Sequence, residues 1–138
     1  MFGKKKDRKK KTHSIKYVVL QNGLSNFPND FVIEVIVDEP NGCINFIKGK
    51  NDTTATLQFN KIVRTELGTR IGTIPGALGS NKTQTLQTLK IVYISNDEEK
   101  EINLYQTNYG NTMAITLLKT LLDVNIQENL SAPKHIDL

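Results

Sequence analysis

The stretch Leu89–Thr107, LKIVYISNDEEKEINLYQT, followed by Gly110–Ile126, GNTMAITLLKTLLDVNI, decides the fold. In the first part Leu89, Ile91 and Tyr93 alternate with Lys90, Val92 and Ile94. Ser95-Asn96-Asp97 turns the chain, and then Ile102 and Leu104 alternate with Glu101 and Asn103. A period of two sends successive side chains to opposite faces of a strand, so this is a β-hairpin with an acidic tip at Asp97-Glu98-Glu99. In the second part the period changes to 3.6. Ala114, Leu117, Leu118, Leu121 and Leu122 fall at i, i+3, i+4, i+7 and i+8, which gives one apolar stripe along a helix. Asn111 or Thr112 fits the N-cap, and the fading pattern predicts an end near Asn125.

Strand character also runs upstream. Ile15, Tyr17 and Val19 alternate with Lys16, Val18 and Leu20, and Asn22-Gly23 and Asn29-Asp30 mark turns. Phe31, Ile33, Val35 and Val37 share one face of the next strand, with Val32, Glu34 and Ile36 on the other. Asp38-Glu39-Pro40-Asn41-Gly42 is a turn, because proline presets φ and glycine accepts a positive one. Cys43–Lys48 reads as a short strand, Ala55, Leu57 and Phe59 alternate again, and Ile62–Leu67 continues or follows. Ile71–Gly79, IGTIPGALG, is expected to be a glycine-rich apolar loop. The expectation is mainly β with one C-terminal α-helix. Seven antiparallel strands of this length bend into a partly open barrel or an orthogonal sandwich, and the leucine stripe caps it.

This order of pieces resembles the bacterial PH-like (pleckstrin homology, GRAM-like) domains. The matching pieces are the hairpin and helix above, GTRIGTIPGALG before them, and ATLQFNKIVRTELG from Ala55 to Gly68, which is similar to the family's fourth strand and the step after it. The resemblance implies a seven-stranded bent barrel capped by the helix, over 14–126, and a binding or assembly module without chemistry of its own. It departs from phosphoinositide-binding members, because Gln21–Phe31 holds no basic residue where a headgroup pocket would need them.

Charge is distributed unevenly. Lys4, Lys5, Lys6, Arg8, Lys9, Lys10 and Lys11 stand against Asp7, a net of about +6, while the whole chain is +4, so the remainder is about −2. The basic character therefore belongs to the start of the chain and not to the fold. Residues 1–13 are expected to form a basic disordered arm and 127–138 a loose tail. The whole chain is 38% hydrophobic and 23% charged, an ordinary composition, so the body is expected to be neither disordered nor membrane-embedded. No apolar run approaches the roughly 20 residues of a membrane span, and no secretory signal, myristoylation site or prenylation box is expected at the ends. One cysteine, Cys43, makes no internal disulfide, which fits a cytoplasmic protein, with peripheral association at the inner membrane face.

For the candidate sites, the seven basic residues 4–6 and 8–11 are expected to attract an anionic lipid surface, at about 1 kcal/mol for each charge near the membrane. The same residues would neutralise nucleic-acid phosphates non-specifically, or simply be solvated. Ile71, Ile74, Ala77 and Leu78 form a candidate interaction loop. Self-association or a protein partner, through that loop or an exposed strand edge, is the rival reading. No catalytic, cofactor or metal residues are expected, and no small-molecule substrate is inferred. His13 and His135 lie near the ends, Cys43 has no interior histidine to activate it, and the acidic hairpin tip reads as a solvated turn. The glycine-rich segment lacks the strand-before, helix-after setting of a phosphate loop. The expected role is a non-enzymatic module.

Overall fold

The computed structural model describes residues 9–49, 54–75, 81–107 and 113–131. Among the described residues seven antiparallel strands precede one helix: β1 (Thr12–Asn22), β2 (Phe31–Asp38), β3 (Cys43–Ile47), β4 (Thr54–Gln58), β5 (Ile62–Pro75), β6 (Asn81–Ser95), β7 (Glu98–Gln106) and α1 (Ala114–Ser131). They form one sheet in the order β4-β3-β2-β1-β7-β6-β5. The terminal strands β4 and β5 are joined in sequence by a single 3-10 turn, Phe59–Lys61, yet they do not pair, so the sheet bends without closing. The mainly-β architecture with a C-terminal helix is as the sequence pattern predicts. The barrel is open.

One departure lies in β1. The register with β2 slips between Ile15 (opposite Val35) and Val18 (opposite Ile33), so Lys16 and Tyr17 together face one residue. This bulge puts Tyr17 at φ 62, a left-handed conformation that a bulky side chain rarely adopts. It also shifts the phase of the strand. Ile15, Val18 and Leu20 enter the core, whereas Tyr17, expected on the same face as Ile15, is 59% exposed. Downstream the alternation holds. Ile33, Val35 and Val37 of β2, Ile44 and Phe46 of β3, Leu89 and Ile91 of β6, and Ile102 and Leu104 of β7 are buried in one cluster.

The glycine-rich segment is the second departure. β5 runs on through Ile71 and Ile74 to Pro75, in unbroken register with β6 from Arg64 opposite Val92 to Pro75 opposite Asn81. Ile71 and Ile74 are therefore strand residues and not loop residues, while Ala77 and Leu78 lie outside the described residues. The physical reason is the supply of β-branched partners. Thr69, Thr83 and Thr85 line the ribbon and favour a pleated backbone without an apolar alternation to announce it. β7 pairs with β6 only from Thr88 to Ser95, so the far half of the hairpin extends past its neighbour.

The helix lies on the apolar face of the sheet and touches β1, β2, β5, β6, β7 and the 3-10 turn. Ala114, Ile115, Leu118 and Leu122 are buried and Leu121 and Ile126 are partly so, whereas Leu117 is 46% exposed. The stripe is thus rotated from the expected one, with Ile115 replacing Leu117. The helix also continues past the predicted end at Asn125 to Ser131. Asn125 is itself buried and bonded, which carries the helix through it. Strand structure begins at Thr12, inside the segment assigned to the arm, and the helix takes in the first residues of the segment assigned to the tail.

Candidate functional site

The lead-in to β1 is held at a buried carboxylate. Glu39 opens the turn from β2 to β3, where the Gly42 N–H donates to the Glu39 carbonyl (3.1 Å) and Gly42 holds φ 68. Asp38 fixes the same turn by accepting from the Asn41 backbone N–H (3.3 Å) and its side-chain amide (2.8 Å). The Glu39 side chain is fully buried. Its oxygens accept from the Lys11 backbone N–H (3.0 Å), from His13 Nε2 (3.1 Å) and from Asn125 Nδ2 (2.7 Å). A carboxylate only accepts, so Nε2 is the ring nitrogen that carries the proton. The Glu39 backbone N–H closes the clasp on the Lys11 carbonyl (3.2 Å). A buried carboxylate is tolerated when several donors converge on it, and here they come from the first strand, its lead-in and the last helix.

Lys9, Lys10 and Lys11 stand exposed just outside this clasp. Lys10 approaches Glu128 of α1 at 3.7 Å, and both side chains are largely solvated. Beside them is a cleft of about 340 Å³ walled by Lys10, Glu39, Gln58, Asn60, Asn125 and Glu128. Its charges are two carboxylates and one lysine, so it does not suit a phosphate. At the far end of β1, Gly23 packs against the Glu101–Ile102 backbone, which places the acidic hairpin tip there. Asn96 and Asp97 take φ 53 and 62, the mirror-image turn that suits a two-residue hairpin connection. Glu99 of the tip lies 3.8 Å from Arg64, and Glu101, further along β7, 3.6 Å from Lys90.

Two further surfaces are formed. A shallow groove of about 470 Å³ runs along the bulge between Lys16, Tyr17, Val32, Glu34 and Ile47. Tyr17 and Val32 (49% exposed) are its exposed apolar part, and Ser14 holds Glu34 by a hydrogen bond. The other surface is the outer edge of β5, with Val63, Leu67 and Ile71 exposed along it. Arg64 donates to Glu66 at 2.7 Å, and this bond holds the Glu66 carboxyl below its usual range. Arg70 crosses the sheet to stack on Tyr105, 4.2 Å from the ring centre. The Tyr105 hydroxyl donates to Asp30 at 3.0 Å, and burial together with that carboxylate pushes its pKa up.

Of the basic residues singled out in the sequence, Lys4, Lys5, Lys6 and Arg8 lie outside the described residues. Cys43 is buried, and burial, with Asp38 nearby, raises its thiol pKa, which suppresses the nucleophilic thiolate. Among the described residues no group of three His, Cys, Asp or Glu is placed to hold a metal. No helix of the described residues is long and apolar enough to cross a membrane. Sequence reading missed the Glu39–His13–Asn125 clasp, because Glu39 reads as a turn residue and His13 as part of a mobile end. One signal was available. Asn125 continues the line of Ala114, Leu118 and Leu122, and a polar residue in an apolar stripe requires a buried partner. No family model and no curated protein matches this chain.

Proposed function

We propose that the chain is a non-enzymatic binding module of PH-like architecture, drawn by its N-terminal lysines to an anionic membrane surface at the cytoplasmic face. The architecture is supported by the run of four strands, then three, then a capping helix. The observation that carries the function is the separation of charge along β1. Exposed Lys9, Lys10 and Lys11 precede its first residue, and the acidic turn lies past its last, because Asn22 is opposite Asn103 and β7 runs on from there toward the turn. A strand of 11 residues spans about 35 Å at its usual rise. The Debye length at physiological salt is about 8 Å, so the acidic end does not cancel the field of the arm. The arm attracts any polyanion, and the groove at Tyr17 and Val32 favours lipid among them. An exposed aromatic beside a lysine, here Lys16, suits the boundary between headgroups and acyl chains.

Sedimentation with neutral and phosphatidylserine-containing vesicles tests this reading. The full chain is expected to pellet with the anionic vesicles only, and to lose about tenfold in affinity between low and physiological salt. Replacing Lys4–Lys6 and Arg8–Lys11 by glutamine should abolish pelleting, and Tyr17→Ser should weaken the salt-resistant remainder. Equal pelleting of the neutralised and native chains would overturn the proposal, as would binding to duplex DNA in preference to vesicles.

A further inference from the structure

We propose that β5 pairs edge to edge with β5 of a second copy, in antiparallel register about Gly68, to form a symmetric dimer. This rests on the sheet and not on the membrane reading. β5 is 14 residues long, and among the described residues no strand pairs with its outer side. The opposite edge of the sheet, β4, is only 5 residues and offers a far shorter row of backbone groups. A long edge strand is a template for another strand unless charge, proline or a bulge blunts it. In β5 the bulge is confined to the first residues, between Ile62 and Arg64, and the proline is its last residue. The interior from Arg64 to Ile74 is free of both; it carries Arg64, Glu66 and Arg70, charges of both signs, and Lys119 Nζ of the helix reaches the Thr65 carbonyl at 3.4 Å.

Exposure along this edge is uneven in a way that fits a partner. Val63, Leu67 and Ile71 are 43%, 48% and 68% exposed, although Leu67 sits opposite the buried Leu89 in the sheet. The face that Leu67 shares with Thr65, Thr69 and Ile71 is the helix side of the sheet, where Thr65 bonds Asp123 and Lys119. The opposite face carries Arg64, Glu66 and Arg70, whose side chains are 49%, 46% and 37% exposed. A second β5 would extend both faces at once.

Charge selects the register. Two-fold symmetry with matched backbone groups requires the axis to pass through a residue, and the axes that overlap nearly the whole strand lie at Leu67, Gly68 or Thr69. An axis at Leu67 sets Arg64 against Arg70 of the copy, like against like. An axis at Thr69 sets Glu66 and Arg70 against glycines. An axis at Gly68 sets Glu66 against Arg70 of the copy, twice by symmetry, in a pair that forms as Arg70 swings from the Tyr105 ring and Glu66 from Arg64, and brings the two Leu67 side chains and Ile71 into diagonal reach on the other face. The strand is complementary to itself in that register.

Sedimentation equilibrium of the full chain, from about 1 µM to about 1 mM, spans the range of weak to firm dimers. A monomer–dimer equilibrium is expected. Leu67→Lys should weaken it at least about tenfold, because it puts two like charges at the centre of the seam. Glu66→Arg should weaken it about tenfold by replacing attraction with repulsion at both symmetric pairs, and the exchange Glu66→Arg with Arg70→Glu should restore most of the loss. Arg70→Glu also removes the stack on Tyr105, so melting curves accompany each variant. If the exchange variant fails to fold, Leu67→Lys and Glu66→Arg decide the matter. A strict monomer at every concentration would overturn the proposal. So would a dimer indifferent to Leu67→Lys, or a folded exchange variant that stays monomeric.

Discussion

Gly23 ends β1 at φ 114, and a methyl group there would overlap the Glu101 carbonyl oxygen and lie 2.8 Å from the Ile102 Cα. Both obstacles are backbone, which cannot swing aside. Gly42 also has a positive φ, at 68, but a Cβ there meets nothing within 4 Å. The pair separates conformational strain from steric overlap. Gly42→Ala is expected to cost about 1 kcal/mol for the left-handed backbone alone. Gly23→Ala adds overpacking and should cost about 3 kcal/mol or more. Urea denaturation of the two variants checks this, and equal losses would refute the overlap account. Tyr17 is the converse case. It holds φ 62 without glycine's freedom, and the bulge that imposes this angle turns the ring outward.

The helix shows what an element adds to its residues. Among its leucines, Leu118 and Leu122 are wholly buried and Leu117 is 46% exposed. Heptad-like spacing admits all three equally, and the choice comes from the sheet beneath. Thr116 donates to Gln87 of β6 at 2.9 Å, and Lys119 and Asp123 hold Thr65 of β5 at 2.8 and 2.5 Å, which fixes the helix about its axis. Leu118→Ala is expected to lose about 3 kcal/mol through transfer and cavity terms, and Leu117→Ala to stay within about 0.5 kcal/mol. Thermal melts of the two variants distinguish this orientation from the one that places Leu117 in the core.

At the scale of the molecule, Glu39 joins parts that are distant in sequence. Its carboxylate ties Lys11 and His13 of the first strand region to Asn125 near the end of the chain. Removing it leaves the Lys11 N–H and the Asn125 amide without this acceptor at a buried site, at about 1–3 kcal/mol for each unsatisfied group. Glu39→Ala should therefore destabilise the fold by about 3 kcal/mol, and amide exchange at Lys11 and through the last turns of the helix should rise together. Exchange that rises in the strand alone would show that the clasp does not couple the two. The same clasp fixes the backbone at Lys11, next to the exposed Lys9 and Lys10.

The alternation in Phe31–Val37 and Leu89–Tyr93, the turns at Gly42 and Asn96-Asp97, and the 3.6 period after Ala114 determined by themselves that the protein is a run of antiparallel strands closed by one helix. Those signals are local, since each residue's partition between core and water repeats with its own element. The concentration of lysine before Thr12 was legible for the same reason. Only the tertiary structure decided the bulge at Tyr17, the rotation that exposes Leu117, the strand through Ile71 and the clasp on Glu39. Each depends on what faces the residue from another part of the chain. A threonine ribbon has no core to alternate against, and a buried carboxylate is recognisable only once its donors, brought from both ends of the sequence, surround it.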